Sequence, residues 1–379
     1  MAHFLPISVL IVIVVARFLR SRGSRPAQTP AVTWTPVPFD AAAYGLAPRD
    51  VLDPQRPGPP APDHVRQECQ AIADAAFAGD WRPAAAYIAA AGQDWDENWS
   101  RLELLRSIAR EDDAWLTTWR AEDPNNCDAA TLEADRMVNR AWEVRGRGYA
   151  NETPEENITQ FRALLPAAIE AAQRAALLDP QNPGPWVVMV TAARGAQYKP
   201  ERFWTLWVEL VARAPHHYEG HWQGMQYWCA KWFGSNKQML EFARRAMDNA
   251  PAGSPLAGIY LHALSELEAR RSNPPSGYAA KKRLAAVATA LAAVREDDDH
   301  LPALRHLLAY YLGRAGMHGA ALEQFRLLGP WCGSSVWAKN GLNRADGFHH
   351  ARAVTVAAAK AKPLTLALRA KNVDAAHLP

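Results

Sequence analysis

The sequence predicts an all-α protein: an α-solenoid of antiparallel helix hairpins that follows an N-terminal transmembrane helix. Helix-ending prolines recur at Pro180, Pro215 and Pro251, at intervals of 35 and 36 residues, and each closes a segment with helical apolar spacing. From His64 onward, apolar residues recur every three or four positions, and no segment alternates as a strand does. A period in the mid-thirties with two helices per unit is typical of helical-hairpin repeats. The start of the chain gives a separate signal.

That signal is a predominantly apolar run without charge from Phe4 to Ala16, which weakly polar edges extend from Ala2 to Leu19. As a helix, eighteen residues span about 27 Å, close to the roughly 30 Å of a bilayer core. Arginines follow the run at positions 17, 20, 22 and 25, and no Lys or Arg precedes it. We therefore expect a single-pass membrane anchor in residues 1–25, with the body in the cytoplasm. An unusual signal peptide, or a start codon upstream of the true one, stays open as an alternative.

Composition divides the remaining chain further. Ten prolines fall between Pro26 and Pro62, and because proline is excluded from helix interiors, this stretch predicts a semi-extended linker. We expect its aromatic residues, Trp34, Phe39 and Tyr44, to pin part of it onto the folded surface. The expected parts are the Pro-rich linker (26–62), N-terminal helical hairpins (63–150), regular helical repeats (151–333) and a basic C-terminal tail or cap (334–379).

Charge and cysteine content exclude some classes of protein. The net charge is only +3, and the body has no clustered basic stripe, so we expect no nucleic-acid partner. The four cysteines lie too far apart in sequence for a metal or redox pair, so we expect buried, reduced thiols and no cofactor. Seven Lys or Arg residues lie between Lys339 and Lys371, which favours either contact with anionic lipid or a solubilising end cap.

Two segments carry a pattern of small and aromatic residues at fixed helical positions. In the first segment, three small residues precede Pro180: Ala168, Ala172 and Ala175. Trp186 then opens the next predicted helix. The second contains Leu308, Gly316, Ala321, Phe325 and Leu328. The pattern resembles tetratricopeptide repeats over roughly residues 159–328. The alanine-rich, membrane-anchored style is similar to repeat proteins of high-GC bacteria. The resemblance implies stacked antiparallel helix pairs that bind peptides or protein partners in a concave groove.

The aromatic residues concentrate between Trp186 and Phe233, where eleven occur within 48 positions. A thin two-helix layer does not have room for all of them inside, so we expect some to reach a surface. Our hypothesis is that Tyr218, Trp222 and Trp232 line the partner-binding groove, together with Trp186. The alternative is that these rings form the core between repeats.

Candidates for chemistry are few. His217 and His221 stand one helical turn apart and could share a metal ion, but they do not form the HExxH pattern, and helix capping and packing explain them equally well. Asp94 and Asp96 could form an acid pair, although acids before a helix also favour its N-terminal dipole. The chain has neither a nucleophile elbow nor a phosphate-binding glycine loop.

These observations predict a non-enzymatic adaptor or scaffold that is tethered to a membrane and binds a protein or peptide through a concave helical surface. Two alternatives stay open. One is a metal-dependent enzyme centred on His217 and His221. The other is a soluble structural repeat protein whose first 25 residues are not translated.

Overall fold

The computed structural model describes residues 39–146, 152–339 and 341–360. These residues form fifteen α-helices and four short 3₁₀-helices, with no strand beyond one isolated bridge between Asp53 and Trp331. The predicted all-α class is therefore confirmed for the described part of the chain. The α-helices are α1 (Asp63–Phe77), α2 (Arg82–Ala89), α3 (Trp95–Glu111), α4 (Ala114–Glu122), α5 (Cys127–Arg145), α6 (Glu155–Leu178), α7 (Gly184–Gly195), α8 (Pro200–Arg213), α9 (Tyr218–Tyr227), α10 (Asn236–Asp248), α11 (Ile259–Ala269), α12 (Gly277–Ala292), α13 (Leu301–Arg314), α14 (His318–Leu328) and α15 (Arg344–Ala358).

Helix ends follow the sequence signals closely. Helices α6, α8 and α10 each stop two or three residues before the recurring prolines, at Leu178, Arg213 and Asp248. Helix α3 begins after Asp94, whose carboxylate accepts the backbone N–H of Glu97, the standard bond of an N-cap. Local capping and proline chemistry therefore set these boundaries.

The described chain divides into two compact units. The central unit contains residues 62–246, and the split unit contains residues 39–61 together with residues from 247 onward. The predicted boundary at 150/151 falls inside the central unit, between α5 and α6, which pack along each other. Because two long helices that share one core cannot belong to separate domains, the break in composition near residue 150 is a connection within this unit.

In the central unit, alternate helices contact one another in sequence order. Helix α3 packs on α5, α5 on α7 and α7 on α9, while the intervening helices follow as their hairpin partners. Helix α9 also contacts α3, so these four helices form a closed circuit of contacts. The core contains fully buried Leu105, Leu132, Leu165, Val190 and Phe203. This unit therefore does not show the open end-to-end stack of helix pairs that a solenoid requires.

The split unit packs α13 against α14 and α15 around Leu304, Leu308, Phe325 and Phe348. Helix α15 lies where the sequence predicted a basic tail. Its buried residues include the polar side chains of His349, Arg352 and Thr355, so its amphipathic pattern is weak in sequence.

Residues 39–61 of the predicted linker also fold into the split unit, and we call them the strap. The strap buries Ala43, Leu46 and Ala47 and is not a free tether in this part of its length. As the sequence led us to expect, part of the linker is held by an aromatic residue: the ring centre of Phe39 lies 5.0 Å from that of His349. The carbonyl hydrogen bonds that hold the rest could not be predicted, because every residue type has a carbonyl.

Among the described residues, no helix combines the length and the apolar character needed to cross a bilayer. The predicted anchor, residues 1–25, lies outside the described residues, as does Trp34 of the linker.

Candidate functional site

A cluster of charged and amide side chains joins helices α3, α5, α7 and α9. Arg106 on α3 donates to Asp135 on α5, with 3.0 Å between Nη1 and Oδ2. Its second terminal nitrogen donates to Glu103, one turn earlier on α3, also over 3.0 Å. The full set, which we call the polar cluster, is Glu103, Arg106, Asp135, Arg194, Glu219 and Gln223.

The other half of the polar cluster joins α7 to α9. Arg194 Nη1 donates to Gln223 Oε1 over 3.0 Å, and Gln223 Nε2 donates to Glu219 Oε1 over 2.8 Å. Arg194 and Gln223 are buried, whereas Glu219 is half-buried. The amide of Gln223 therefore connects a guanidinium to a carboxyl group without a direct ion pair between them.

Burial and like charges shift the pKa values of two carboxyl groups in the cluster. Asp135 is only 2% exposed, and burial raises its pKa while Arg106 opposes the shift. Burial raises the pKa of Glu219 to about 8, and the negative charges of Glu103 and Asp135 add to the shift. Arg106 hydrogen-bonds Asp135 and Glu103, so burial and like charges together favour the protonated form of Glu219.

At the C-terminal ends of α5 and α7, two arginines stack on tryptophan rings. The Arg194 guanidinium lies 4.7 Å from the ring centre of Trp142 and 5.4 Å from that of Trp232. Arg145 lies 5.6 and 5.5 Å from the same two rings. We call these four residues the aromatic–arginine cluster. Arg194 belongs to both clusters and so joins them.

The aromatic–arginine cluster is partly accessible. The rings of Trp142 and Trp232 meet edge to face with 5.7 Å between their centres, and both residues are half-buried, as is Arg145. Positive charge at helix C-termini is favourable in itself, which gives both arginines a structural role. Tryptophan and arginine are also the residue types that contribute most to protein interfaces. The cluster therefore has the composition and exposure of a binding surface.

The four aromatic residues that we expected to line a groove have different surroundings in the structure. Tyr218 is only 4% exposed and belongs to the core, whereas Trp222 is half-buried on α9. Trp186 stacks under the Arg213 guanidinium at 4.7 Å. Among these four, only Trp232 joins the aromatic–arginine cluster.

The two candidate metal-binding histidines have structural roles. His217 is the N-cap residue of α9, and its Nδ1 accepts the backbone N–H of Gly220 over 3.3 Å. His221 Nδ1 lies 3.0 Å from the carbonyl oxygen of His217, and its ring packs edge to face on Trp207. Burial lowers the pKa of His221 to about 4. The contacts of the two rings are thus those of a helix cap and of a packed core residue.

No group of three or more His, Cys, Asp or Glu side chains suited to a metal ion occurs within the described ranges. All four cysteines lie in those ranges, and none forms a disulfide. Burial raises the pKa of the Cys127 and Cys332 thiols to about 12, so both stay protonated at neutral pH.

The two aspartates near the start of α3 act separately. Asp94 caps α3, as the helix-dipole interpretation suggested. Asp96 instead accepts the backbone N–H of Tyr218 over 2.8 Å and thereby joins α3 to α9. They do not form an acid pair that shares one task.

Sequence reasoning missed most of the polar cluster. One signal was present: Asp135 lies on the buried stripe of α5, three residues after Leu132 and three before Val138. An acid in such a stripe predicts a buried ionic partner. The partner could not be identified, because Arg106 lies on a different helix at a distance in sequence that no motif fixes.

No protein-family model, curated protein or solved structure matches this chain.

Proposed function

We propose that this protein is a non-enzymatic adaptor that binds a partner protein or peptide at the aromatic–arginine cluster of its central unit. The observation that carries the proposal is the junction at Arg194, where two half-buried tryptophans meet a hydrogen-bonded chain that runs from Arg194 through Gln223 to Glu219. A ligand at this junction would find flat aromatic surface for stacking and guanidinium groups for hydrogen bonds.

A purely structural role explains the polar cluster less well. Replacing a buried ion pair by well-packed apolar residues is often neutral or stabilising, so Asp135 and Arg106 are not needed for stability alone. The network does fix the side chains of Arg194 and Gln223 in one arrangement. A preorganised surface loses less conformational entropy when it binds a ligand.

We also propose that the hairpins of the central unit are repeats of the tetratricopeptide type. The support is the regular contact of alternate helices and the helix ends at residues 178 and 213. Because α9 contacts α3 as well as α7, a ligand would approach the C-terminal ends of α5 and α7 and would not lie along an open trough. This differs from the groove that the sequence suggested.

Capture of the partner by the full chain from native cells tests the proposal. We expect Trp232→Ala to reduce recovery of the specific partner at least about tenfold, since truncation of a central aromatic residue in an interface often costs 2 kcal/mol or more. Trp204→Ala is the matched control, because Trp204 is 48% exposed on α8 and lies outside both clusters. Equal recovery with the two variants would contradict the proposed site.

The membrane tether is a separate proposal that rests on the sequence of residues 1–25. When native cells are fractionated, the full chain should be recovered with the membranes and should resist extraction by alkaline carbonate. Deletion of residues 1–25 should move the protein to the supernatant. Recovery of the full chain in the supernatant alone would contradict the tether without affecting the binding proposal.

A further inference from the structure

The strap is held to the split unit by its backbone. The N–H of Asp53 donates to the carbonyl of Pro330, and the N–H of Cys332 donates back to Asp53, both over 2.9 Å. The N–H of Gly333 donates to the carbonyl of Arg56 over 2.8 Å, and a Cβ on Gly333 would lie 2.4 Å from the Arg56 carbonyl carbon. The strap thus approaches the split unit so closely that no side chain fits at residue 333.

Four further carbonyls of the strap accept hydrogen bonds from side chains of the split unit. The pairs are Arg326 Nε with Tyr44 O (3.0 Å), Arg352 Nη1 with Ala47 O (2.8 Å), Arg344 Nη1 with Pro54 O (3.2 Å) and His306 Nε2 with Pro57 O (2.9 Å). These donors come from three different helices, α13, α14 and α15. They are spread along the strap from residue 44 to residue 57, so the whole segment is recognised and not one point of it.

Two of these donors are fully buried and are suited to a carbonyl. His306 is 0% exposed; its Nδ1 accepts the Trp337 indole N–H over 2.8 Å, so the proton of the neutral ring is on Nε2, which faces Pro57. Arg352 is also 0% exposed, and burial lowers its pKa to about 10. Without a backbone carbonyl in front of them, both groups would lose an acceptor at a buried position.

This recognition suits a proline-containing chain. Proline has no N–H, but its carbonyl is a normal acceptor, and the five prolines of the strap restrict the free chain, so less conformational entropy is lost when it docks with its two short 3₁₀-helices. Aromatic contacts complete the fit, since the Arg56 guanidinium lies 4.8 Å from the ring centre of Trp331. Extended proline-rich peptides bind other proteins through this combination of aromatic surface and hydrogen-bond donors.

We infer that the split unit is a recognition site for a proline-containing peptide in the conformation of the strap, with its two short 3₁₀-helices, and that the strap occupies it as an intramolecular ligand. The inference goes beyond the proposed function, because it concerns residues of the split unit only. The donors read backbone carbonyls, whose positions depend on the strap's conformation, so a peptide with the strap's own sequence should bind from solution once the strap is no longer covalently held.

A cleavable full-length chain tests this inference. Residues 59–62 are exposed, so a protease site placed there can be cut in the purified protein, in mild detergent, without touching the contacts. A fluorescent synthetic peptide of residues 39–61 is then added in excess. We expect the cleaved N-terminal fragment to be replaced by the peptide while the helical circular dichroism of the remaining chain is kept.

Variants of two half-buried donors test whether peptide binding depends on the hydrogen bonds to the strap's carbonyls. Arg344→Gln and Arg326→Gln should each weaken peptide binding about tenfold, the effect of losing one charged hydrogen bond. Arg295→Gln is the matched control, since the exposed Arg295 side chain pairs with Asp297 and not with the strap. Three outcomes would each overturn the inference: no peptide binding to a folded cleaved chain, unfolding on cleavage, or a fragment that never exchanges. None of these three outcomes affects the separate test of partner binding with the Trp232→Ala variant.

Discussion

The backbone N–H of Tyr218 donates a hydrogen bond to the carboxylate of Asp96, 2.8 Å away and 122 residues earlier in the chain. The bond lies where α9 meets α3, the contact that completes the circuit of four helices in the central unit. The same carboxylate is 3.8 Å from Nδ1 of His217, the N-cap of α9. One side chain near the start of α3 thus stabilises the first turn of a distant helix.

The first prediction concerns this bond. Asp96→Ala leaves the Tyr218 N–H without its acceptor, and we expect the free energy of unfolding to fall by about 1–2 kcal/mol. Asp96→Asn retains an acceptor oxygen and should lose less than half of that amount. Denaturant titration of both variants measures the difference. Equal stability of the Ala variant and the unchanged protein would mean that the α3–α9 contact does not depend on this bond.

The second prediction concerns how the stability of the protein changes at acidic pH. Burial lowers the pKa of His221 and of His306 to about 4, from 6.5 in the unfolded chain. The unfolded state therefore binds more protons between pH 6.5 and pH 4, so each histidine makes stability fall as pH falls through this window, by up to about 3 kcal/mol.

Unfolding titrations at a series of pH values check this. His306→Gln and His221→Gln should each flatten the acid limb of the stability curve, although both lower stability at pH 7. His64→Gln, at the exposed start of α1, is the control and should leave the curve unchanged. An acid limb of the same steepness in all three variants would contradict the prediction.

The third prediction concerns how the stability of the protein changes as pH rises above neutrality. The pKa of Glu219 is raised to about 8 from 4.5, mainly by burial. The folded state holds this proton more tightly than the unfolded state, so the associated stability is fully present below pH 4.5 and is lost as pH rises towards 8. Glu219→Gln mimics the protonated form and should remove this loss. Stability measured between pH 6 and pH 9 should therefore fall less in the variant than in Glu111→Gln, a control at an exposed position.

The fourth prediction compares two helical glycines. A Cβ at Gly224 would lie 2.6 Å from Cζ of Phe242 and 2.9 Å from Trp207, whereas a Cβ at Gly313 would meet nothing within 4 Å. Gly224→Ala should therefore destabilise the protein by about 1–3 kcal/mol through overpacking. Gly313→Ala should stabilise it by up to about 1 kcal/mol, because alanine has the higher helix propensity. Thermal unfolding of the two variants measures both changes: the midpoint temperature should fall for Gly224→Ala and rise for Gly313→Ala.

Signals that act within one helix could be predicted from the sequence. The helix ends before Pro180, Pro215 and Pro251 follow from proline chemistry, and the role of Asp94 follows from capping preference. Each of these depends on a few neighbouring residues. The all-α class depends on the same kind of local information, repeated along the chain.

What could not be predicted depends on distant partners. The strap docks through carbonyls, which carry no mark of residue type, and Asp135 finds Arg106 on another helix. The aromatic hypothesis failed for Tyr218 because aromatic density does not say which rings face the core. Trp142 was not singled out, since it lies outside the dense aromatic segment and meets Trp232 only in the folded chain.

Hydrogen–deuterium exchange of the full chain, with and without its captured partner, tests the central claim most directly. Binding at the aromatic–arginine cluster predicts slower exchange in residues 135–145 of α5, in the last turn of α7 and around Trp232, with little change in α1 and α2. Protection confined to the split unit, or to the outer helices α4 and α8, would contradict a binding surface at Trp142, Arg194 and Trp232.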